Sequence, residues 1–309
     1  MKRGQRTRAA MISIASNAAL IILKLVAGVI TGSVAIITEA IHSAVDLVAS
    51  FIAFFSVRQA EEPADASHRY GHEKFENIAA AAEGVLILIG SGVIIFAAIR
   101  SLVEGPELHA LGLGIGVLAF STVVNLGVST WLYRKARETQ SAALEGDAAH
   151  LRTDAYTSAG VLVGLALVQV TGAEWLDPAV ALVIAGAIVV TGLRIVWRSW
   201  GVLVDEALPD PELATIREAI EAFAGRGVVG YHQLRTRRAG ARRYVDLHLQ
   251  FAPGTSLEAA HGTAHALQDE IARRLPGGAD VLIHLEPADK VRPGSELVTE
   301  HRSGRTPAA

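Results

Sequence analysis

The chain has 309 residues, 51% of them hydrophobic, with no cysteine and a formal net charge of −3. A mean hydropathy of +0.36 excludes an ordinary soluble fold and points to a membrane protein. The slightly acidic balance, with no lysine or arginine stripe, excludes a nucleic-acid partner, and without thiols any metal must be held by His, Asp, Glu or backbone oxygen.

In chain order, the basic start MKRGQRTRAAM leads into an apolar stretch that runs to Ile30 without an Ala-x-Ala cleavage pattern. This predicts a retained first helix rather than a signal peptide. Six apolar stretches follow one another at roughly residues 9 to 30, 34 to 57, 77 to 103, 111 to 133, 144 to 171 and 176 to 200, each near the length that crosses a bilayer as a helix. Lys2, Arg3, Arg6 and Arg8, then Arg58, Arg69 and Lys74, then Arg134, Lys135 and Arg137, then Arg194 and Arg198 fall at alternate ends of these spans. The opposite loops, Thr31-Gly32-Ser33, Glu104 to Ala110 and Thr171 to Pro178, carry no lysine or arginine. The positive-inside rule therefore predicts a multi-pass membrane protein with both termini cytoplasmic. Lys24, inside the first span, is expected to snorkel to the outer interface and to have no transport role.

After Trp200 the composition changes, and Leu208-Pro209-Asp210-Pro211 breaks the helix. A helix from Pro211 to Ala224 capped by Asp210, strands over Tyr231 to Arg237 and Tyr244 to Phe251 about an Ala239-Gly240-Ala241 turn, a helix from Ser256 to Leu275 and a strand from Asp280 to Leu285 are predicted. This α-β-β-α-β order suits a small open sheet with helices on one face. The expected organisation is a six-helix transmembrane domain over 1–207, a cytoplasmic α+β domain over 208–290, and a disordered tail over 291–309, rich in Pro, Gly, Ser and Arg.

The second span holds His42 and Asp46, and the fifth His150 and Asp154, both in His-x-x-x-Asp spacing. Residues four apart share a helix face, so each helix offers an imidazole and a carboxylate in one direction. Two such helices supply two nitrogens and two oxygens, a tetrahedral shell suited to Zn²⁺, whereas Mg²⁺ and Ca²⁺ want six or more oxygens. Carboxylates inside a bilayer each cost on the order of 2.5 to 3.5 kcal/mol on insertion scales, so a repeated pair points to an ion pathway rather than a packing device. The alternative, a His–Asp hydrogen bond fastening two helices, explains one motif more readily than two. Glu39 and Glu83 are weaker candidates, as suited to a vestibule or a helix contact as to metal. In the loop after the second span Asp65, His68 and His72 fall within eight residues and can wrap a metal or form a solvated turn. In the C-terminal part His232, His248, His261, His284 and Glu286 are possible ligands that a small sheet could gather; His265 and His301 are read as bystanders.

The segments TGSVAIITEAIHSAVDLVAS, HRYGHEKFENIAA, HLRTDAYTSAGVL, LVDEALPD, HQLRTR, VDLHLQF and VLIHLEP together resemble the cation diffusion facilitator family, within it the bacterial YiiP-like zinc and ferrous-iron efflux antiporters, over roughly residues 10 to 287. The resemblance implies a six-helix membrane domain, a cytoplasmic domain of ferredoxin-like, metallochaperone-like shape, and a homodimer. It implies a membrane site of His42, Asp46, His150 and Asp154, a loop site of Asp65, His68 and His72, and a cytoplasmic binuclear site of His232, His248, His261, His284 and Glu286. Lys74 and Asp205 match a charge interlock used in dimer packing. Two positions depart from the YiiP-like pattern: His42 stands where Asp is usual, which is the zinc-preferring variant, and Glu286 stands for Asp beside Leu285 in place of a polar residue. Imidazole in place of a hard carboxylate favours Zn²⁺ and Co²⁺ over Mn²⁺. The sequence thus predicts no enzyme but a proton-coupled antiporter of divalent metal, chiefly Zn²⁺ with Co²⁺, Fe²⁺ and Cd²⁺ as further cargoes, working in a lipid bilayer. The rival reading is a membrane-anchored metal sensor without transport. An intramembrane metalloenzyme is disfavoured because no His-Glu-x-x-His occurs, and a channel because it lacks saturable four-ligand coordination.

Overall fold

The computed structural model describes residues 4–31, 34–104, 112–173 and 175–288. The expected tail, 291–309, lies outside them, as do the side chains of Glu39, His42 and Asp46, whose backbone is part of a described helix. The chain forms two compact units, Met1–Gly201 and Val202–Ala309.

The first unit is all helical: α1 (Gln5–Thr31), α2 (Val34–Ala60), α3 (Lys74–Glu104), α4 (Gly112–Thr139), α5 (Ala142–Thr171) and α6 (Leu176–Leu203), the last running just into the second unit. The helices match the predicted spans but run on at their basic ends, α4 by six residues to Thr139. Backbone hydrogen bonding continues where apolarity stops, so the apolar stretch marks the membrane rather than the helix. Val93, Phe96, Val103, Val123, Val170, Val183, Trp197 and Trp200 stand exposed on the outside of the bundle, the surface a protein offers to lipid. Among the described residues, Gln5–Ala27, Lys74–Glu104 and Pro178–Leu203 are each long and apolar enough to cross a membrane unaided. By contrast, α5 carries Glu145, Asp147, Arg152 and Asp154 in its first turns and lies inside the bundle, against α2, α3 and α4. Ser141 caps its start by accepting from the Leu144 amide, and Gly172, at φ +71°, closes its end with a bond to Val168. Small residues bring α3 and α6 close: a Cβ on Gly84 would meet the Gly192 carbonyl at 3.2 Å.

Lys24 does not snorkel. It is 3% exposed and its ammonium donates to Ser43 Oγ on α2 at 2.7 Å. A hydroxyl within reach inside the bundle removes the need to reach for water, which corrects the expectation from the sequence.

The second unit runs α7 (Asp210–Glu221), a 3₁₀ turn at Ala224–Arg226, β1 (Val228–Ala239), β2 (Arg242–Phe251), α8 (Leu257–Arg274) and β3 (Ala279–Pro287). The sheet order is β1-β2-β3, with β1 antiparallel and β3 parallel to β2. Alternation along β2 sends Val245, Leu247, Leu249 and Phe251 into a core shared with Ile216 and Ile220 of α7 and Leu267 and Ile271 of α8. Tyr244, Asp246, His248 and Gln250 therefore point to the other face. Asp210 is not the cap of α7: Pro209 holds the N-cap position without a side-chain bond, and Asp210 opens the first turn together with Glu212. There the acid groups favour the helix dipole instead of bonding amides.

Arg243 is 1% exposed and fastens β2 to α7 through two bonds to Glu212, Nε to Oε2 at 3.0 Å and Nη2 to Oε1 at 2.9 Å, while Nη1 donates to the Ala241 carbonyl at 2.8 Å. Truncating one partner strands the other's charge in a largely buried site. Arg243→Ala is expected to cost about 3 to 5 kcal/mol, read as a lowered thermal midpoint of the purified chain, with Arg243→Lys losing less.

Candidate metal centres

In the helical unit, antiparallel α2 and α5 are in contact, and one hydrogen bond fixes their register: Ser50 Oγ donates to Asp147 Oδ1 at 2.9 Å. Advancing at about 1.5 Å per residue in opposite directions, the backbone of Asp46 then comes level with that of Leu151, next to His150, and the backbone of His42 level with that of Ala155, next to Asp154. His150 is buried and Asp154 half-buried. Between them, Arg152 projects from the opposite side of α5: its Nε donates to Ser129 Oγ at 3.1 Å, its Nη2 to Thr130 Oγ1 at 2.9 Å, and its guanidinium lies over the Tyr133 ring at 4.5 Å. The motif thus divides its labour, with Arg152 gripping α4 and the His–Asp face left to other helices. The register bond and the role of Arg152 were not foreseen; the signal available was Asp147, one turn before His150.

The loop between α2 and α3 gathers Asp65, His68 and His72, whose nearest ligand atoms all lie within 4.8 Å of one another. His72 Nε2 is 3.4 Å from Asp65 Oδ2, and the two rings have centroids 4.4 Å apart. His72 is buried against Phe75, while Asp65 and His68 are exposed. The His68 amide donates to Asp65 at 2.5 Å, and the Ser67 hydroxyl and amide each at 2.8 Å. The His68 amide above all, and then the Ser67 hydroxyl, hold the Asp65 carboxyl down at about 2.

In the second unit the pairing His232↔His248 and His248↔His284 sets three histidines in a row across the open face of the sheet. A β-bulge follows directly: Gln233 and Leu234 together oppose the single Leu247 on β2, and Gln233 takes φ +50°. Glu286 reaches back over this row, bonded to His232 Nε2 at 2.8 Å through Oε2 and to His248 Nδ1 at 2.7 Å through Oε1. His232, His248 and Glu286 form a group with ligand atoms within 4.8 Å. His284 lies at its edge, 3.6 Å from Glu286. His261 does not join this group; it is exposed on α8 with its ring 4.3 Å from that of His265, the residue read as a bystander. Burial raises the Glu286 pKa, but the hydrogen bonds from His232 and His248 more than offset this and hold it below the usual carboxylate range. Two nitrogens and one oxygen, with His284 adjacent, fit a Zn²⁺-type donor set. Of the residues matched to a charge interlock, Asp205 pairs with Arg237 at 3.6 Å, and Lys74 opens α3.

Comparison with known proteins gives a matching family profile for each unit. The cation efflux transmembrane domain matches residues 10–204 and the cation efflux protein cytoplasmic domain residues 208–288. An uncharacterized transporter of Synechocystis is 34% identical over 280 residues, covering 91% of this chain and 90% of that protein. The cation-efflux pump FieF of Klebsiella pneumoniae is 35% identical over 286 residues, covering 92% and 94%. The metal-bound C-terminal domain of the CzcD transporter from Thermotoga maritima is 26% identical, covering 28% of this chain and all of that domain with a TM-score of 0.24.

Because the folded Glu286 pKa lies below its unfolded value, its bonds to the histidines stabilise the domain at pH above the ordinary carboxylate range and are lost as pH falls through the lowered value. Metal, by contrast, competes with protons on imidazole, so Zn²⁺ retention is expected to fall between about pH 7 and 5.5, in the histidine range. Loss of an outer-shell partner already costs about 10- to 100-fold in affinity, so Glu286→Ala, which deletes a direct ligand, is expected to cost more. Titration calorimetry with Zn²⁺ across pH checks both.

Proposed function

This chain belongs to the cation diffusion facilitator family of metal-cation transporters, and on that basis we propose that it exports Zn²⁺ in exchange for protons. It is a membrane transporter, not an enzyme, and divalent metal is its cargo. In this reading residues 1–207 are the transmembrane domain, 208–290 the cytoplasmic metal-sensing and dimerisation domain, and 291–309 a tail. The protein is a homodimer in the bacterial inner membrane with both termini in the cytoplasm.

One observation carries the reading: two His-x-x-x-Asp motifs lie on helices that touch and whose register the Ser50–Asp147 bond sets so that the motifs share one depth. Zn²⁺ entering from the cytoplasm displaces protons from His42, His150 and a carboxylate. The helices then rock to open the site outward, and protons from outside expel the metal. Histidine suits the exchange because its ordinary pKa near 6.5 lets metal and proton compete for one nitrogen. Imidazole in place of carboxylate at position 42 favours Zn²⁺ and Co²⁺ over harder ions. The His232–His248–Glu286 group and the Asp65–His68–His72 loop bind metal and report its level to the dimer. That same cytoplasmic group, with its ligands already within 4.8 Å, supports the second reading, a sensor that binds metal without moving it.

Flux decides between them. In proteoliposomes, Zn²⁺ movement is expected to accelerate under an imposed pH gradient; movement indifferent to the gradient contradicts antiport, and binding without movement favours the sensor. Asp154→Ala is expected to cut flux at least about tenfold while leaving cytoplasmic Zn²⁺ binding intact.

A further inference from the structure

Several acidic groups of the helical unit are answered by basic ones. Glu76 is met by Arg6 at 2.5 Å, and Glu104, Glu138 and Glu145 by Arg100, Lys135 and Arg198, each at 2.6 Å. Glu83 on α3 is not: it is 0% exposed, and neither carboxylate oxygen has a hydrogen-bond partner among the described residues. The charged group acting on it is another acid, Asp147 on α5, also 0% exposed. Its carboxylate lies against the α5 backbone beside Asp147, so closely that a Cβ on Gly146 would collide with Glu83 Oε2. Asp147 in turn accepts from Ser50 on Oδ1, with Ser13 also in hydrogen-bonding reach of its carboxyl; its Oδ2 has no partner among the described residues. Behind Ser50, Asn17 Nδ2 donates to the Ser50 hydroxyl at 2.8 Å, and Ser13 lies 3.5 Å from it.

We propose that Glu83 and Asp147 form a cation station of oxygen ligands, where a divalent ion rests one helical turn from His150 on its path through the bundle. The proposal deepens the transport reading and rests on it. Two buried carboxylates without lysine or arginine stay ionised only with positive charge between them, since an uncompensated buried ion costs several kcal/mol and otherwise takes up a proton. The two carboxyls share no hydrogen-bonded proton. A proton would draw the two carboxyls to about 2.5 to 2.7 Å, and no such bond joins them. Oxygens that ligate one Zn²⁺ at about 2.0 to 2.2 Å in a tetrahedron stand roughly 3.4 Å apart. Three residues along α5 separate Asp147 from His150, about 4.5 Å of rise, so an ion held at the station is one short step from the His–Asp face. Gly146 is what admits the Glu83 carboxylate to this position.

The test is Zn²⁺ flux in proteoliposomes for wild type, Glu83→Gln and Glu83→Asp, each with a metal-concentration series and a pH series. Among the described residues, the titratable groups nearby are Asp147 and His150 on α5 and Glu76 on α3, and those contributed by α1 and α2 are the neutral Asn17, Ser13 and Ser50. A station predicts that Glu83→Gln raises KM for Zn²⁺ about tenfold, leaves the pH dependence in place and does not lower the melting temperature. Glu83→Asp, which keeps the charge, recovers most of the loss. An unchanged KM overturns the proposal, whether the pH dependence stays, marking a packing group, or shifts, marking a proton carrier. Asp147→Asn, which keeps the acceptor for Ser50, is read in the same way should Glu83→Gln not fold. A wild type that moves no Zn²⁺ removes the transport reading itself, and is thereby distinct from failure of the station alone.

Discussion

Hydrocarbon offers no hydrogen bonds and little screening, so each polar side chain inside the helical unit must be answered by protein or by an ion. That constraint organises the bundle. Asn17, Ser50 and Asp147 form a chain of bonds across α1, α2 and α5, Lys24 finds Ser43, and Arg152 grips α4 through Ser129 and Thr130. The bonds that satisfy these groups also set helix register, and register brings the two His-x-x-x-Asp motifs to one depth. In the proposed reading, a transport site on facing helices is a by-product of the same satisfaction that lets a polar α5 sit inside the membrane unit.

The cytoplasmic unit solves a different problem with a sheet. Period-2 alternation gives Val245, Leu247, Leu249 and Phe251 to the core and leaves the intervening positions free for chemistry. Pairing β1 antiparallel and β3 parallel to β2 aligns His232, His248 and His284 in one row, and Glu286 bridges the first two. The bulge after His232 interrupts regular pairing beside the site, and the ladder resumes at Arg235. A longer run of ideal sheet would hold a more regular face but a less adaptable rim.

Much of this was legible in the sequence because it is periodic or compositional. Six apolar lengths, a Pro-rich break after α6 and the α-β-β-α-β order announce themselves, as do motifs at four-residue spacing on a helix. What was not legible depends on partners far away in the chain. Nothing near Lys24 reveals that Ser43 awaits it, and nothing near Asp210 shows that Pro209 takes the cap position. His261 is a ligand and His265 a bystander by the sequence reading, yet the sheet row forms without either and the two rings meet each other. Glu83 looked like a vestibule group; only the packing of α3 on Gly146 shows it beside a second buried acid.

The central claim is that imidazole and carboxylate from α2 and α5 enclose one metal ion within the membrane unit. Anomalous diffraction at the zinc edge from crystals of the whole protein tests it most directly. The account predicts a peak between α2 and α5 at the depth of His150 and Asp154, lost in an Asp154→Ala crystal that keeps its cytoplasmic peaks. Peaks confined to the cytoplasmic sheet and the Asp65 loop, with none between the two helices in any crystallised state, would contradict it.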